Sequence, residues 1–168
     1  MSSDAAPDRQ DPLRFYLDKA APSVWSSLVA WRQDVDAAAA QAGLGPQTVE
    51  LVCLRVSQLN GCAFCLDTHL RSAAKAGVSE QRLALLPAWR EAESVYSEQE
   101  QAALELAEAL TRLEGHEQLQ VAQLLSHPRL SDDQYAAVQW LTVLMNATNR
   151  ISMASHHPVR PREAEARG

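Results

Sequence analysis

The sequence predicts an all-α domain, and three observations carry this. Apolar residues recur at helical spacing through most of the chain. No stretch sustains the period-two alternation of β-branched residues that marks strands. Two capping boxes, Ser97-Glu98-Gln99-Glu100 and Ser131-Asp132-Asp133-Gln134, together with well-placed Pro and Gly residues, punctuate the pattern where helices begin and end. The count is seven to eight helices with short connections, a helical bundle over residues 13–155. Residues 1–12 carry no apolar periodicity and hold Pro7 and Pro12, and are expected to form a flexible N-terminal arm. Residues 156–168 are polar, broken by Pro158 and Pro161, and are expected to form a flexible C-terminal tail.

Each element follows in order. Pro22 opens the first long helix, which carries Val24, Leu28, Trp31 and Val35 and ends at Gly43. Its Ala37–Ala40 tract lets another helix approach closely. Pro46 opens a second helix with Val49, Val52, Cys53 and Val56 on one side and Leu51, Leu54 and Leu59 on others. Such wide apolar coverage predicts burial on more than one face. Asn60-Gly61 stops it, and a new helix runs from near Cys62 to Gly77. Ser79 caps a short helix with Leu83, Leu85 and Leu86, broken near Pro87. The first capping box starts a helix with Ala103, Leu104, Ala107 and Leu110, closed by Gly115. A segment around Val121, Leu124 and Leu125 ends by Pro128. The second box starts a long helix bearing Tyr135, Val138, Thr142 and Met145, with Ala137, Leu141 and Leu144 beside them.

Composition narrows the function. The 168 residues fit one domain, and 46% hydrophobic residues suffice for a core. Fifteen basic against 21 acidic residues give a net charge of −6, which argues against nucleic acid or an anionic membrane surface as partner. No apolar run approaches the ~20 residues of a membrane span. The polar start MSSDAAPDRQDP shows no secretory h-region, so a cytoplasmic location is expected. Three cysteines, two of them only three apart, are not a secreted disulfide framework.

The chemistry concentrates in Asn60-Gly-Cys62-Ala-Phe-Cys65-Leu-Asp-Thr-His69. One helical turn brings the two sulfurs together, and His69 lies a further turn along the same face. The pair stands at a helix N-terminus, where the dipole favours thiolate. A thiol with pKa ~8.5 is about 3% ionised at pH 7, and lowering that to ~6.5 would give roughly 75%. Glu50 joins by geometry. In an antiparallel hairpin turning at Asn60-Gly61, Glu50 and His69 differ in height by only about 3 Å. A carboxylate there would orient the imidazole, as in other nucleophile–base–acid arrangements.

These residue types also serve other chemistry. Zinc would need Cys62, Cys65, His69 and Glu50, but structural zinc draws its second pair from another knuckle and this chain has none. A c-type haem needs His directly after the second Cys, where Leu66 stands. Cys53 reads as a core thiol. His116, His127, His156 and His157 read as solvent-facing, and Asp67 and Thr68 as helix-surface or first-turn residues. The four Trp residues, Trp25, Trp31, Trp89 and Trp140, read as core or subunit interface. Tyr96 is placed at the active-site mouth, and Arg150 is paired with a carboxylate at an interface.

The stretch Glu50 to His69 resembles the alkylhydroperoxidase D / carboxymuconolactone decarboxylase superfamily, with its E-x11-C-x-x-C-x3-H signature. The likeness extends through Leu54–Gln58, Ala74 and Gly77, Trp89-Arg90, Ser97–Glu100 with Ala102–Leu104, and Asn149–Ile151, roughly residues 15 to 153. It implies an AhpD-like helical bundle, homo-oligomers that are trimers or hexamers, and a thiol-dependent alkyl hydroperoxidase of antioxidant defence. By that resemblance Cys65 is the cysteine peroxide oxidises, Cys62 closes the disulfide, and Glu50 with His69 relays protons. Phe64 stands where the best-studied branch has a second His, so the relay here is shorter. The decarboxylase branch generally lacks the cysteine pair. The expected partners are an organic hydroperoxide and a dithiol reductant, small molecule or protein, with no bound cofactor and no metal. The alternatives are a redox-sensing CxxC module with little turnover, and a decarboxylase or isomerase of the same fold.

Overall fold

A computed structural model of the protein describes residues 11–161. Residues 1–10 of the expected arm and 162–168 of the expected tail lie outside these described residues. The described residues form eight α-helices: α1 (Leu17–Ala20), α2 (Pro22–Gln41), α3 (Pro46–Asn60), α4 (Ala63–Lys75), α5 (Glu80–Leu85), α6 (Glu98–Arg112), α7 (His116–Ser126) and α8 (Asp132–Ala154). Short 3-10 turns join several of them, and no strand occurs among the described residues.

The helix ends follow the sequence signals. Pro22 and Pro46 sit in the first turns of α2 and α3, where a missing N–H costs nothing. Both capping boxes close. The Ser97 hydroxyl accepts from Glu100 N–H at 3.2 Å, and the Glu100 carboxylate accepts from Ser97 N–H at 2.9 Å. Ser131 and Gln134 repeat the exchange at the start of α8. Gly61 ends α3 with φ +70°, a left-handed conformation that favours glycine, and the chain turns back into α4.

α3 is the central helix and packs against α4, α6 and α8. Its Val52, Cys53 and Val56 enter one apolar cluster with Leu106 of α6 and Leu141 and Met145 of α8. Leu51 and Leu54 enter a second cluster with Ala73, Leu86, Trp89 and Leu104. The helix is thus buried on two faces, as its apolar coverage predicts. Its far end is pinned to α8 by amides: Asn60 Nδ2 donates to Asn146 Oδ1 at 3.0 Å and to Asn149 Oδ1 at 2.9 Å. Asn149 in turn donates to Ser57 Oγ at 3.2 Å. These bonds set the height of the α3–α4 turn and with it the register of the CxxC segment.

One expectation is revised. Tyr96 does not line a site mouth. It is buried in the second cluster, and its hydroxyl donates to the Arg82 carbonyl at 2.6 Å. Within the chain the Arg150 guanidinium donates to the Asn146 carbonyl and to Asn146 Oδ1, both at 2.8 Å. Among the Trp residues only Trp89 is fully in the core, whereas Trp31 lies edge-on to Trp140, which is 55% exposed. No helix among the described residues is long and apolar enough to cross a membrane.

A buried ionic knot around Glu108 has no counterpart in the sequence reading. The carboxylate accepts from Arg55 Nε at 2.5 Å and from Trp89 Nε1 at 2.9 Å, and it also pairs with Arg90. Arg55 lies on α3 and Glu108 on α6, so the pair ties the two central helices. Glu108→Ala strands the buried Arg55 charge, and breaking such a pair costs about 3–5 kcal/mol. Urea denaturation should show a loss of that size with an unchanged slope; a loss below about 1 kcal/mol would mean that water or Glu105 replaces the lost partner.

Candidate active site

The site is built at the start of α4. Cys62 is the N-cap residue, and its sulfur accepts from Cys65 N–H at 3.3 Å. Cys62 and Cys65 are joined as a disulfide, with Cα atoms 5.3 Å apart. The Cys65 N–H and the positive end of the α4 dipole favour negative charge on Cys62 once the bond is reduced. Both are sheltered: Cys62 is 2% and Cys65 7% exposed.

The hairpin brings His69 of α4 against Glu50 of α3, with Nδ1 2.8 Å from Glu50 Oε2. Both side chains are largely buried. Cys53 also belongs here. It lies three residues after Glu50, hence on the same side of α3, and its sulfur lies within 4.8 Å of the His69 ring nitrogen. Burial opposes charge on that ring, but Cys53 and then the Glu50 carboxylate outweigh it, and His69 is pushed up to about 10. The imidazole is therefore charged near neutrality, its Nδ1–H donating to the carboxylate. Arg32 of α2 adds positive charge facing Cys53 and Glu50, and is itself paired with Asp36 at 3.0 Å.

Cys53 is a core residue, fully buried, as the sequence reading has it. That reading missed its contact with His69; the Glu50–Cys53 spacing was the available signal. The convergent donor atoms of Glu50, Cys53 and His69 all lie within 4.8 Å of one another. They are the set that could hold a metal ion, in place of the Cys62, Cys65, His69, Glu50 quartet weighed from sequence. Glu50 and His69 already share a proton, and the Arg32 charge stands beside them, which suits a proton better than a metal cation.

A pocket of about 390 Å³ opens onto the pair. Cys65 and His69 line it, whereas Cys62 and Cys53 do not. Its apolar wall comes from Trp25, Phe64, Met145 and Ile151, and Arg32 lies at its edge. The volume falls within the range of small-molecule sites. A larger cleft, about 540 Å³ beside His127 and Tyr135, contains no thiol. His157, expected to face solvent, is half-buried and lines the CxxC pocket. His127 remains exposed and pairs with Asp132 at 3.0 Å.

Comparison with known proteins gives a consistent picture. Residues 27–109 match the carboxymuconolactone decarboxylase family. The chain is 39% identical over 124 residues to the uncharacterized protein YdfG of Bacillus subtilis (strain 168), covering 72% of this chain and 82% of that protein. A segment of 57 residues is 42% identical to the alkyl hydroperoxide reductase AhpD of Solibacter usitatus (strain Ellin6076), covering 34% of this chain and 31% of that protein. The crystal structure of ATU0492 from Agrobacterium tumefaciens, a protein of unknown function described as a candidate antioxidant defence protein AhpD, superposes with a TM-score of 0.77. The two are 31% identical over 88% of this chain and 99% of that one.

Proposed function

Because the chain belongs to the alkylhydroperoxidase D / carboxymuconolactone decarboxylase superfamily, we propose that its Cys62–Cys65 pair is a peroxide-reducing dithiol. The observation that carries this reading is positional. Of the three cysteines, Cys65 alone lines the pocket, beside a charged imidazole, with Cys62 behind it in bonding reach.

Cys65 thiolate attacks the terminal oxygen of ROOH; an S–O bond forms, the O–O bond breaks, and RO⁻ leaves to take a proton as ROH. The resulting Cys65 sulfenic acid is attacked by the Cys62 thiol, forming the disulfide and releasing water. A dithiol donor reduces the disulfide and is itself oxidised. His69 imidazolium holds the Cys65 negative charge, and Glu50 holds the imidazolium. Phe64 and the other apolar walls favour organic hydroperoxides. The protein would work in the cytoplasm as a trimer or hexamer of this chain.

Two other readings rest on specific features. Burial of both sulfurs favours a redox switch oxidised once with little turnover. Arg32 in the pocket favours a decarboxylase or isomerase acting on a small organic acid. A peroxide assay coupled to a dithiol donor tests all three. Continuous consumption is expected; one equivalent consumed per protomer indicates the switch, and no consumption with turnover of an acid indicates the third.

A further inference from the structure

The two ends of the described chain meet over the pocket. His156 takes a left-handed backbone with φ +49°, costly for a residue other than glycine. The turn is held by His157 N–H donating to the Ser152 carbonyl at 3.1 Å. It sends the His157 ring back over α4, stacked on Tyr16 with centroids 5.5 Å apart and against Phe64 at 5.1 Å. From the other end, Leu17 N–H donates to Ser155 Oγ at 3.1 Å and fastens α1 to the end of α8.

This docking places Asp18 beside His157. Nδ1 of the ring is 3.3 Å from Ser152 Oγ, and Nε2 is 3.7 Å from Asp18 Oδ1. The latter is an ion-pair contact too long for a hydrogen bond. Asp18 Oδ1 is buried and has no hydrogen-bond partner. A buried oxygen of this kind costs stability unless the site uses it. Asp18, Ser152 and His157 all line the pocket that Cys65 and His69 line. The pocket therefore carries a second imidazole–carboxylate pair, contributed by the chain ends.

The first pair serves the thiol before attack. O–O cleavage then expels RO⁻, a strongly basic leaving group that must take a proton as it departs. We propose that His157 is the general acid that protonates the departing oxygen, with Asp18 positioning its ring. This inference rests on the peroxidase reading above. The step is balanced: Cys65–S⁻ attacks the terminal oxygen, the O–O electron pair leaves on the alkoxide oxygen, and His157 passes one proton to it. ROH, Cys65 sulfenic acid and neutral His157 result, and solvent restores the proton.

Leaving-group dependence tests it. Ethyl hydroperoxide expels ethoxide, which needs a proton, whereas peracetic acid is of similar size and expels acetate, which does not. Single-turnover oxidation of the reduced protein is followed with both, for wild type, His157→Gln and Asp18→Asn. General acid help is worth ~10²–10⁴-fold. His157→Gln should slow the ethyl hydroperoxide reaction by about 10²-fold and the peracetic acid reaction by less than about 3-fold. Asp18→Asn should show the same selectivity at smaller size. The rate of Cys65 alkylation by iodoacetamide should stay as in wild type. Equal losses with both oxidants would make His157 a structural residue and overturn the proposal, as would no loss with either. If wild-type Cys65 is oxidised by neither peroxide, the peroxidase reading itself falls, and that result is distinct from any His157 phenotype.

Discussion

Cys65→Ser should abolish continuous peroxide consumption, leaving only the background reaction of peroxide with the donor, whereas Cys62→Ser should still consume one to three equivalents per protomer. The difference follows from the positions of the two sulfurs. Cys65 faces the pocket and His69; Cys62 caps the helix behind it and lines no part of the pocket. A serine hydroxyl at position 65 is not ionised near neutrality, so no nucleophile remains for the O–O bond. Without Cys62 the first oxidation proceeds to sulfenic acid but no internal disulfide follows, and sulfenic acid is open to further, irreversible oxidation. Mass spectrometry of peroxide-treated wild type should show two hydrogens lost within the Cys62–Cys65 peptide, and Cys62→Ser should show one to three added oxygens on Cys65. Equal activity of Cys65→Ser and wild type would remove the peroxidase assignment. A disulfide that included Cys53 would change the pairing.

His69→Gln should lower peroxide reduction at pH 7 by about 10²-fold, and Glu50→Gln should do much the same. The double variant should be little worse than either single one, because groups that act as a unit are not additive. The cause is electrostatic. With His69 pushed up to about 10, the site holds an imidazolium beside Cys65 at neutral pH. Removing that charge raises the apparent pKa of the thiol, which a profile of alkylation rate against pH reads directly. The same ion pair makes a stability prediction. The folded-state value of His69 lies above the unfolded value of about 6.5, so its contribution is fully present below about pH 6.5 and is lost as pH rises through about 10. Urea midpoints of the oxidised protein should fall over that window, and His69→Gln should flatten the fall. A wild-type midpoint constant from pH 6 to 10 would mean that Glu50 and His69 share no ionic stabilisation.

The helices, their ends and the heart of the site could be read from the residues alone, for reasons local to the chain. Capping at Ser97 and Ser131, proline at positions 22 and 46, and the left-handed Gly61 all act within a few residues of themselves. The Cys62–Cys65–His69 spacing is a property of one helix, and a single turn of known length carries it to Glu50. The residues the sequence left unassigned depend on how separate helices dock. Cys53 meets His69 because α3 and α4 pack along the face that also carries Glu50. Arg32 reaches the site only through the packing of α2. Glu108 finds Arg55 because α6 lies along α3, and Tyr96 turns into the core because the segment after α5 folds over Leu51 and Leu54. His157 and Asp18 stand 139 residues apart in the chain and meet only when α1 and the end of α8 close on one another. Spacing along one helix is fixed by hydrogen-bond geometry, so sequence determines it. A contact between helices is selected by the whole core at once, and no short stretch of sequence contains it.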